Sequence, residues 1–413
     1  MMRSLLGLFL LGVIGATACN VVEGDEQAQE QDVSKGTSVD APSAATGPAS
    51  PDDDPCRFGD PAAESWSPVD PRAVDVGDFV VSIDAIAEGG ALRVTHRDGR
   101  DRVLYESPPG RLLRAAEAKL RVEEHQGSFS IDDRSVQSCE GARVEEIATA
   151  GGRLRLRGSF GGAGDCASAT FSVGLCQARR GHLVIDARLD SERLDVLTLE
   201  ARSDSAERIY GMGEQFPHDS LDLKGRKIPV LAQEGGVGRG HIPIHAFVEL
   251  ASRGSGGSEE STYYAAPHIL TSRLRSLFLE NTELSVFDLT EPSAIRVRTH
   301  AKHVRGRILQ GETPLELLER FTEYAGRMPP LPDWANEGAI VAIARDLDES
   351  VQLVDRLRGA GAEIAAVWNQ TWSGKAKTFI GEQVLWNWAL NPTAHPGWGG
   401  YVDALAERDV QVL

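Results

Sequence analysis

Four carboxylates and two side-chain amides crowd into residues 210–239, YGMGEQFPHDSLDLKGRKIPVLAQEGGVGR: Glu214, Asp219, Asp222 and Glu234, with Gln215 and Gln233. Loops this polar and this rich in glycine make poor core and good binding surface. A second stretch, 368–391 (WNQTWSGKAKTFIGEQVLWNWALN), holds Trp368, Trp372, Trp386 and Trp388, with Gln370 and Gln383 among them. Flat aromatic faces interleaved with amides and hydroxyls suit a sugar, which has apolar C–H faces and polar rims. Solvated loop charge is the plain alternative for Glu214, Asp222 and Glu234. Packing at a domain junction is the alternative for Trp386 and Trp388.

Other chemistries find little support. His241 and His245 are four apart, but Pro243 between them speaks against a helical zinc pair. GGVGRG lacks the Lys-Ser/Thr of a phosphate loop. No GxSxG nucleophile elbow and no CxxC pair occurs. A formal charge of -18 argues against nucleic acid and anionic membrane surfaces as partners. Hydrophobic content of 41% and charged content of 25% over 413 residues are ordinary for a soluble multidomain chain.

The elements that must position these groups change character along the chain. Residues 79–307 read as β, with short alternating runs between turn signals. Leu92, Val94 and His96 alternate with polar residues, as do 153–157 (RLRLR) and 295–298 (IRVR). Many such strands predict a β-sandwich. The glycine- and serine-rich segment 252–261 reads as a flexible loop within it. Thr313-Pro314-Leu315-Glu316 is a capping box with proline at the first helical position, and Gly326 with Pro329 and Pro330 ends that helix. After Trp334 the pattern is β/α. Residues 339–343 read as a strand buried on both faces, a helix follows Asp346, and 364–368 read as a second buried strand. A long loop, a helix through Tyr401 and Leu405, and a strand beginning at Val410 complete the chain. The tryptophan loop therefore follows a parallel strand, on the face where barrel active sites are built.

The N-terminus reads as an export signal. Arg3 supplies the positive start, 5–14 a short apolar run, and 15–18 small residues ahead of Cys19. Cys19 is the expected lipidation site, although Ala16 stands where Leu is usual; ordinary signal cleavage is the alternative. Residues 20–57 read as a disordered acidic tether with too little apolar surface to order itself. An oxidising compartment makes disulfides expected among Cys56, Cys139, Cys166 and Cys176, free buried thiols being the alternative. Sequence proximity, with a turn at Gly174, pairs Cys166 with Cys176.

The 210–239 run closely resembles the N-terminal-domain signature of glycoside hydrolase family 31, the retaining α-glycosidases. Its GEQF, DLKG and GVGR pieces are similar to the branch that includes the sulfoquinovosidases, and the resemblance continues over 331–388. It implies an N-terminal galactose mutarotase-like β-sandwich followed by a (β/α)8 barrel, here incomplete. The domain reading is thus a signal peptide at 1–19, a linker at 20–57, a sandwich at 58–330 and a truncated barrel at 331–413. It also implies hydrolysis of an α-linked sugar with retention and no metal or organic cofactor. The two catalytic aspartates of the family would lie beyond Leu413, so no catalytic residue is assigned. Substrate contacts fall on Gln370, Trp372, Gln383, Trp386, Glu214 and Glu234. Gln370 and Trp386 match the sulfoquinovosidase pattern. Ala344 and Gln383 depart from it, Gln383 replacing the arginine that grips the sulfonate. A non-catalytic sugar-binding surface lipoprotein and a gene remnant are the rival readings.

Overall fold

The computed structural model describes residues 55–58, 65–98, 102–125, 128–215, 219–251, 254–343, 346–378, 381–384 and 388–413. Cys19, the tether up to 54, Ala344 and Trp386 lie outside the described residues. The described chain is mostly β-sheet with few helices.

Three antiparallel sheets share one core. The largest has nine strands, in the order Ser67–Pro68, Glu140–Ala150, Arg153–Gly161, Thr170–Arg179, His182–Asp190, His303–Leu309, Ser276–Leu279, Ala265–Thr271 and Ile209–Gly213. A six-stranded sheet runs Lys227–Pro229, Ser285–Asp288, Ala294–Thr299, Val196–Arg202, Leu113–His125 and Ser128–Ser138. Four shorter strands between Val74 and Glu106 form the third. Leu154, Leu156 and Val173 from the first sheet meet Leu113, Leu199 and Phe287 from the second and Val81 and Val94 from the third. The two-residue alternation that predicts these strands is what sends their apolar side chains to a common interior. Arg155 departs from the outward alternation of its strand. It is buried under Trp66, its guanidinium carbon 4.2 Å from the ring centroid, and it donates to Glu146.

Two disulfides staple the β unit, Cys56–Cys176 and Cys139–Cys166. The expected Cys166–Cys176 bond is therefore wrong. Gly174 does not turn: it sits mid-strand in Thr170–Arg179, opposite Asp186 and Arg155. An extended strand advances about 3.3 Å per residue, which carries Cys176 away from Cys166. Cys56, placed in the tether by sequence, is fully buried beside Val184, so ordered chain begins before residue 58.

Helix Pro314–Ala325 starts as the capping box predicts, with the Thr313 side chain accepting from the Glu316 amide. Glu316 reaches back to the Glu312 amide, one residue beyond the usual partner. The helix docks through Leu317, which is buried, and Phe321, which stacks on His268.

The C-terminal unit has its own core of Ile343, Val354, Ile364, Val367, Tyr401 and Leu405. Strands Ala339–Ala342, Ile364–Trp368 and Gln411–Val412 form a parallel sheet with the middle one central. Helices Leu347–Gly359 and Trp398–Ala406 connect them. The first strand is not buried on both faces as expected: Ile340 is 48% exposed. Among the described strands it is an edge with a single neighbour.

Candidate functional site

The polar loop of 210–239 is held in shape mostly by its own motif residues. Asp222 accepts from the amides of Ile209 and Lys224, fixing the turn that follows strand Ile209–Gly213. The Lys224 ammonium donates to Ser203 Oγ and to the carbonyls of Asp204 and Pro292. The DLKG piece is thus structural. Asp219 pairs with Arg226 at 3.0 Å, and Arg226 also pairs with Glu259. Gln215 donates to the Met212 carbonyl.

The segment 254–261 packs against the GVGR piece rather than standing free. Val237 donates to the Ser255 carbonyl and Arg239 to that of Gly256. Gly236, at φ +69°, would place a Cβ 2.4 Å from the Cα of Gly257. Only glycine admits that approach. Glu249 on helix Ile244–Ala251 closes the far side by accepting from the amides of Gly254 and Gly256.

Residues 262–264 bring the two predicted acids together. The Glu214 amide donates to the Tyr264 carbonyl, and Thr262 Oγ1 donates to the Glu214 carbonyl. Gln233 donates to the Thr262 carbonyl, and the Tyr263 hydroxyl donates to Glu234 Oε2 at 2.8 Å. Partial desolvation raises the Tyr263 phenol above its ordinary pKa although the residue is 61% exposed, and the hydrogen bond to Glu234 and its charge raise it further. The Glu214 carboxylate is exposed and makes no hydrogen bond or ion pair among the described residues. It is the acid of this loop with capacity left for a ligand.

The second stretch begins at the C-terminal end of strand Ile364–Trp368. A buried network fixes its first turn. Asn369 Oδ1 accepts from the amide and hydroxyl of Thr371, and His395 Nε2 lies 2.6 Å from the Thr371 carbonyl. The Asn391 amide donates to the Trp372 carbonyl, tying the loop to the segment before helix Trp398–Ala406. Gln370 and Trp372 emerge half-buried from this scaffold. Trp372 and Trp388 lie with ring centroids 6.4 Å apart and tilted by 54°. Trp388 is 78% exposed at φ +55°, so the described contacts do not make it a junction residue. A bulky side chain at positive φ is uncommon and marks a constrained position. Within the stretch, Lys375–Thr378 and Gly381–Val384 form a hairpin whose register pairs Gln383 with Ala376.

The candidate residues thus form two groups, Glu214 with Glu234 and Gln370 with Trp372. Sequence reading missed Tyr263 and the Asn369–Thr371–His395 network. No local signal could supply them, because each contact joins segments far apart in the chain.

No family model matches the chain. A sulfoquinovosidase of Agrobacterium fabrum is 27% identical over 316 residues, covering 75% of this chain and 44% of its own length. A sulfoquinovosidase of Escherichia coli is 27% identical over 234 residues, covering 57% of this chain and 34% of its own. The chain therefore spans less than half the length of these curated relatives. A family GH31 sulfoquinovosidase from E. rectale, solved with an aza-sugar inhibitor, shares the fold. The two superpose with a TM-score of 0.68 at 22% identity, over 80% of this chain and 47% of that one.

Proposed function

We infer from its likeness to sulfoquinovosidases that this chain is a member of glycoside hydrolase family 31, supplying the N-terminal β unit and the opening βα units of a retaining α-glycosidase. On this reading the three antiparallel sheets are the β-sandwich, and the parallel strands at 339–412 begin a (β/α)8 barrel. The observation that carries it is the placement of Gln370 and Trp372. Both sit directly after a buried parallel strand, on a turn locked by Asn369, Thr371 and His395. In barrels that face holds the substrate.

The proposed reaction needs two carboxyl groups flanking one glycosidic bond, about 5–5.5 Å apart in retaining enzymes. We place both on barrel strands outside these 413 residues. The chain's own part is to bind and orient the sugar. Gln370 and Glu214 offer an amide and an acceptor for hydroxyls, and Trp372 an apolar face for the ring. Export with a lipid at Cys19 belongs to the same proposal, supported by two disulfides of the kind that persist in oxidising compartments.

The test compares this chain with a polypeptide that extends it to a closed barrel. The longer form should hydrolyse an aryl α-glucoside with net retention of anomeric configuration, followed by proton NMR, and the 413-residue chain should not. Turnover by the pure, monodisperse short chain, or inversion by the long one, would defeat the reading.

A further inference from the structure

We propose that a small cavity on the outer face of the six-stranded sheet binds a tetrahedral oxyanion, a phosphate or sulfate group that is free or carried on a sugar.

Alternation fixes which residues look outward there. Leu113, Leu197, Leu199, Phe287 and Val297 belong to the core, so Arg114, Thr198, Asp288, Arg296 and Arg298 occupy the opposite face. Thr198 lies directly between two arginines, paired in register with Arg298 on one side and Arg114 on the other. Neighbouring strands are about 4.8 Å apart, so the two arginine backbones stand about 10 Å apart, a span their side chains can close on one ion. Lys227, Asp288, Arg296 and Glu200 form the neighbouring rung. A cavity of about 250 Å³ opens among these groups, and all six strands of the sheet contribute to its lining. None of that lining lies outside the described residues. The volume is below the roughly 300–1,000 Å³ of a typical small-molecule site, which suits a single ionic group better than an oligosaccharide.

Most of the charge is paired internally, and the remainder is cationic. Arg298 donates through Nε and Nη2 to Asp133 at 2.6 and 2.9 Å, which leaves Nη1. Arg296 donates through Nη2 to Glu291, and its Nε lies 3.4 Å from Glu200 Oε2. Arg114 meets Glu200 through Nη1 at 3.6 Å, and Arg111 pairs with the same carboxylate. Asp288 is the one carboxylate in the lining, and it already accepts from the amide and hydroxyl of Thr290. Five cations, Arg111, Arg114, Lys227, Arg296 and Arg298, thus meet four carboxylates, Asp133, Glu200, Asp288 and Glu291. His300, 3.3 Å from Asp133, adds a further cation when protonated. Lys227 is the cation left over: its ammonium is exposed and has no ion pair or hydrogen bond among the described residues.

Thr198 is the second, independent observation. It is 8% exposed, lines the cavity, and its hydroxyl has no hydrogen-bond partner among the described residues. A hydroxyl so enclosed is costly to leave unmet, and it can donate to an oxyanion held between the two arginines. A ladder of charges that served only to hold the sheet together would leave neither this hydroxyl nor the Lys227 ammonium unused. Donors arriving from four strands suit the three-dimensional spread of a tetrahedral oxyanion better than a planar carboxylate.

Isothermal titration calorimetry on the 413-residue chain at low salt tests this, with inorganic phosphate, inorganic sulfate and glucose 6-phosphate as probes and acetate as control. One-site binding of the three probes, and not of acetate, is expected. Lys227→Gln should weaken phosphate binding more than about tenfold and Thr198→Val about fivefold. Neither side chain has a partner among the described residues, so the urea midpoints of both variants should match the wild type. Arg72→Gln, which removes an exposed cation outside the lining, should leave binding unchanged. Glucose 6-phosphate that binds tighter than phosphate, and loses that binding with Lys227→Gln, assigns the site to sugar esters. Phosphate that binds as tightly or tighter assigns it to the free ion. Absence of phosphate binding, unchanged binding by both Lys227→Gln and Thr198→Val, or an equal loss in Arg72→Gln overturns the site. Acetate bound as tightly as phosphate overturns the tetrahedral assignment. Hydrolysis does not enter this measurement, so failure here and failure of the glycosidase reading are separate outcomes.

Discussion

The Tyr263 hydroxyl donates to Glu234 Oε2 at 2.8 Å, while the carboxylate of Glu214, whose backbone is tied to Thr262 and Tyr264, has no partner among the described residues. Two acids that look equivalent in sequence therefore have different capacities. Partial desolvation, then the Glu234 hydrogen bond and charge, raise the phenol. Glu234→Gln should lower the Tyr263 pKa toward the ordinary tyrosine value. Ultraviolet difference titration against a Tyr263→Phe control measures it. An unchanged titration would show that the pair is not formed in solution.

The disulfide pattern gives a direct chemical test. Non-reducing peptide mapping of exported protein should yield Cys56 linked to Cys176 and Cys139 linked to Cys166. The first bond joins residues 120 apart and the second joins residues 27 apart. Removing a native bond costs ~2–5 kcal/mol, chiefly by freeing the unfolded chain. Cys139→Ser with Cys166→Ser should lower the urea midpoint accordingly. Recovery of a Cys166–Cys176 peptide would overturn the strand register of Thr170–Arg179.

Helix Pro314–Ala325 should loosen in acid. His182 Nε2 lies 3.0 Å from Glu323 Oε2, and the His268 ring stacks 4.2 Å from Phe321. Burial pulls both histidines from the ordinary 6.5 down to about 4. Glu323 opposes the shift at His182, and Arg307 and Arg179 add to it. A depressed histidine means the fold holds the neutral ring. That contribution is complete above pH 6.5 and is lost as pH falls toward about 4. Hydrogen exchange in 314–325 should rise over this window before the nine-stranded sheet responds. His268→Gln should flatten the dependence, whereas simultaneous exchange of helix and sheet would contradict it.

What the sequence displays is periodicity and local punctuation. The strands around Leu154, the cap at Thr313 and the buried strand Ile364–Trp368 all follow from nearest-neighbour rules. What it hides is pairing across distance. The partner of Cys176 is Cys56 rather than the cysteine beside it, because a strand runs straight through Gly174. Residues 254–261 look free in composition yet pair with Val237 and Arg239. Asp222 reads as binding-loop charge but serves as a turn-fixing group, accepting from the amides of Ile209 and Lys224. In each case the deciding contact comes from a segment that composition alone cannot place.

Buried charge should matter more than surface charge. Glu207 is 0% exposed and pairs with Arg275, whose Nε donates to Oε1 at 2.8 Å. Arg275→Met would strand a buried carboxylate, and breaking such a pair costs ~3–5 kcal/mol. Arg72, exposed and paired with exposed Asp70, should tolerate the same change with little loss. Chemical denaturation of the two variants separates the cases, and equal midpoints would mean that Glu207 is solvated.

The last prediction concerns specificity in a polypeptide with a completed barrel. The curated relatives are called sulfoquinovosidases, yet Gln383 stands where the resemblance places the arginine that grips the sulfonate. The hairpin register sets Gln383 opposite Ala376, so neither member of that cross-strand pair carries a cation. Lys375 and Lys377 pair in register with Val384 and Glu382. A charged hydrogen bond to an anion is worth roughly 1.5–3 kcal/mol, so its loss should cost more than about tenfold in selectivity. The wild type should therefore prefer an aryl α-glucoside over the sulfonated analogue in kcat/KM, and Gln383→Arg should move the preference toward the sulfonated sugar. A wild type that already favours the sulfonate would mean that a cation from another segment, such as a lysine or arginine on a later barrel strand, supplies the missing charge.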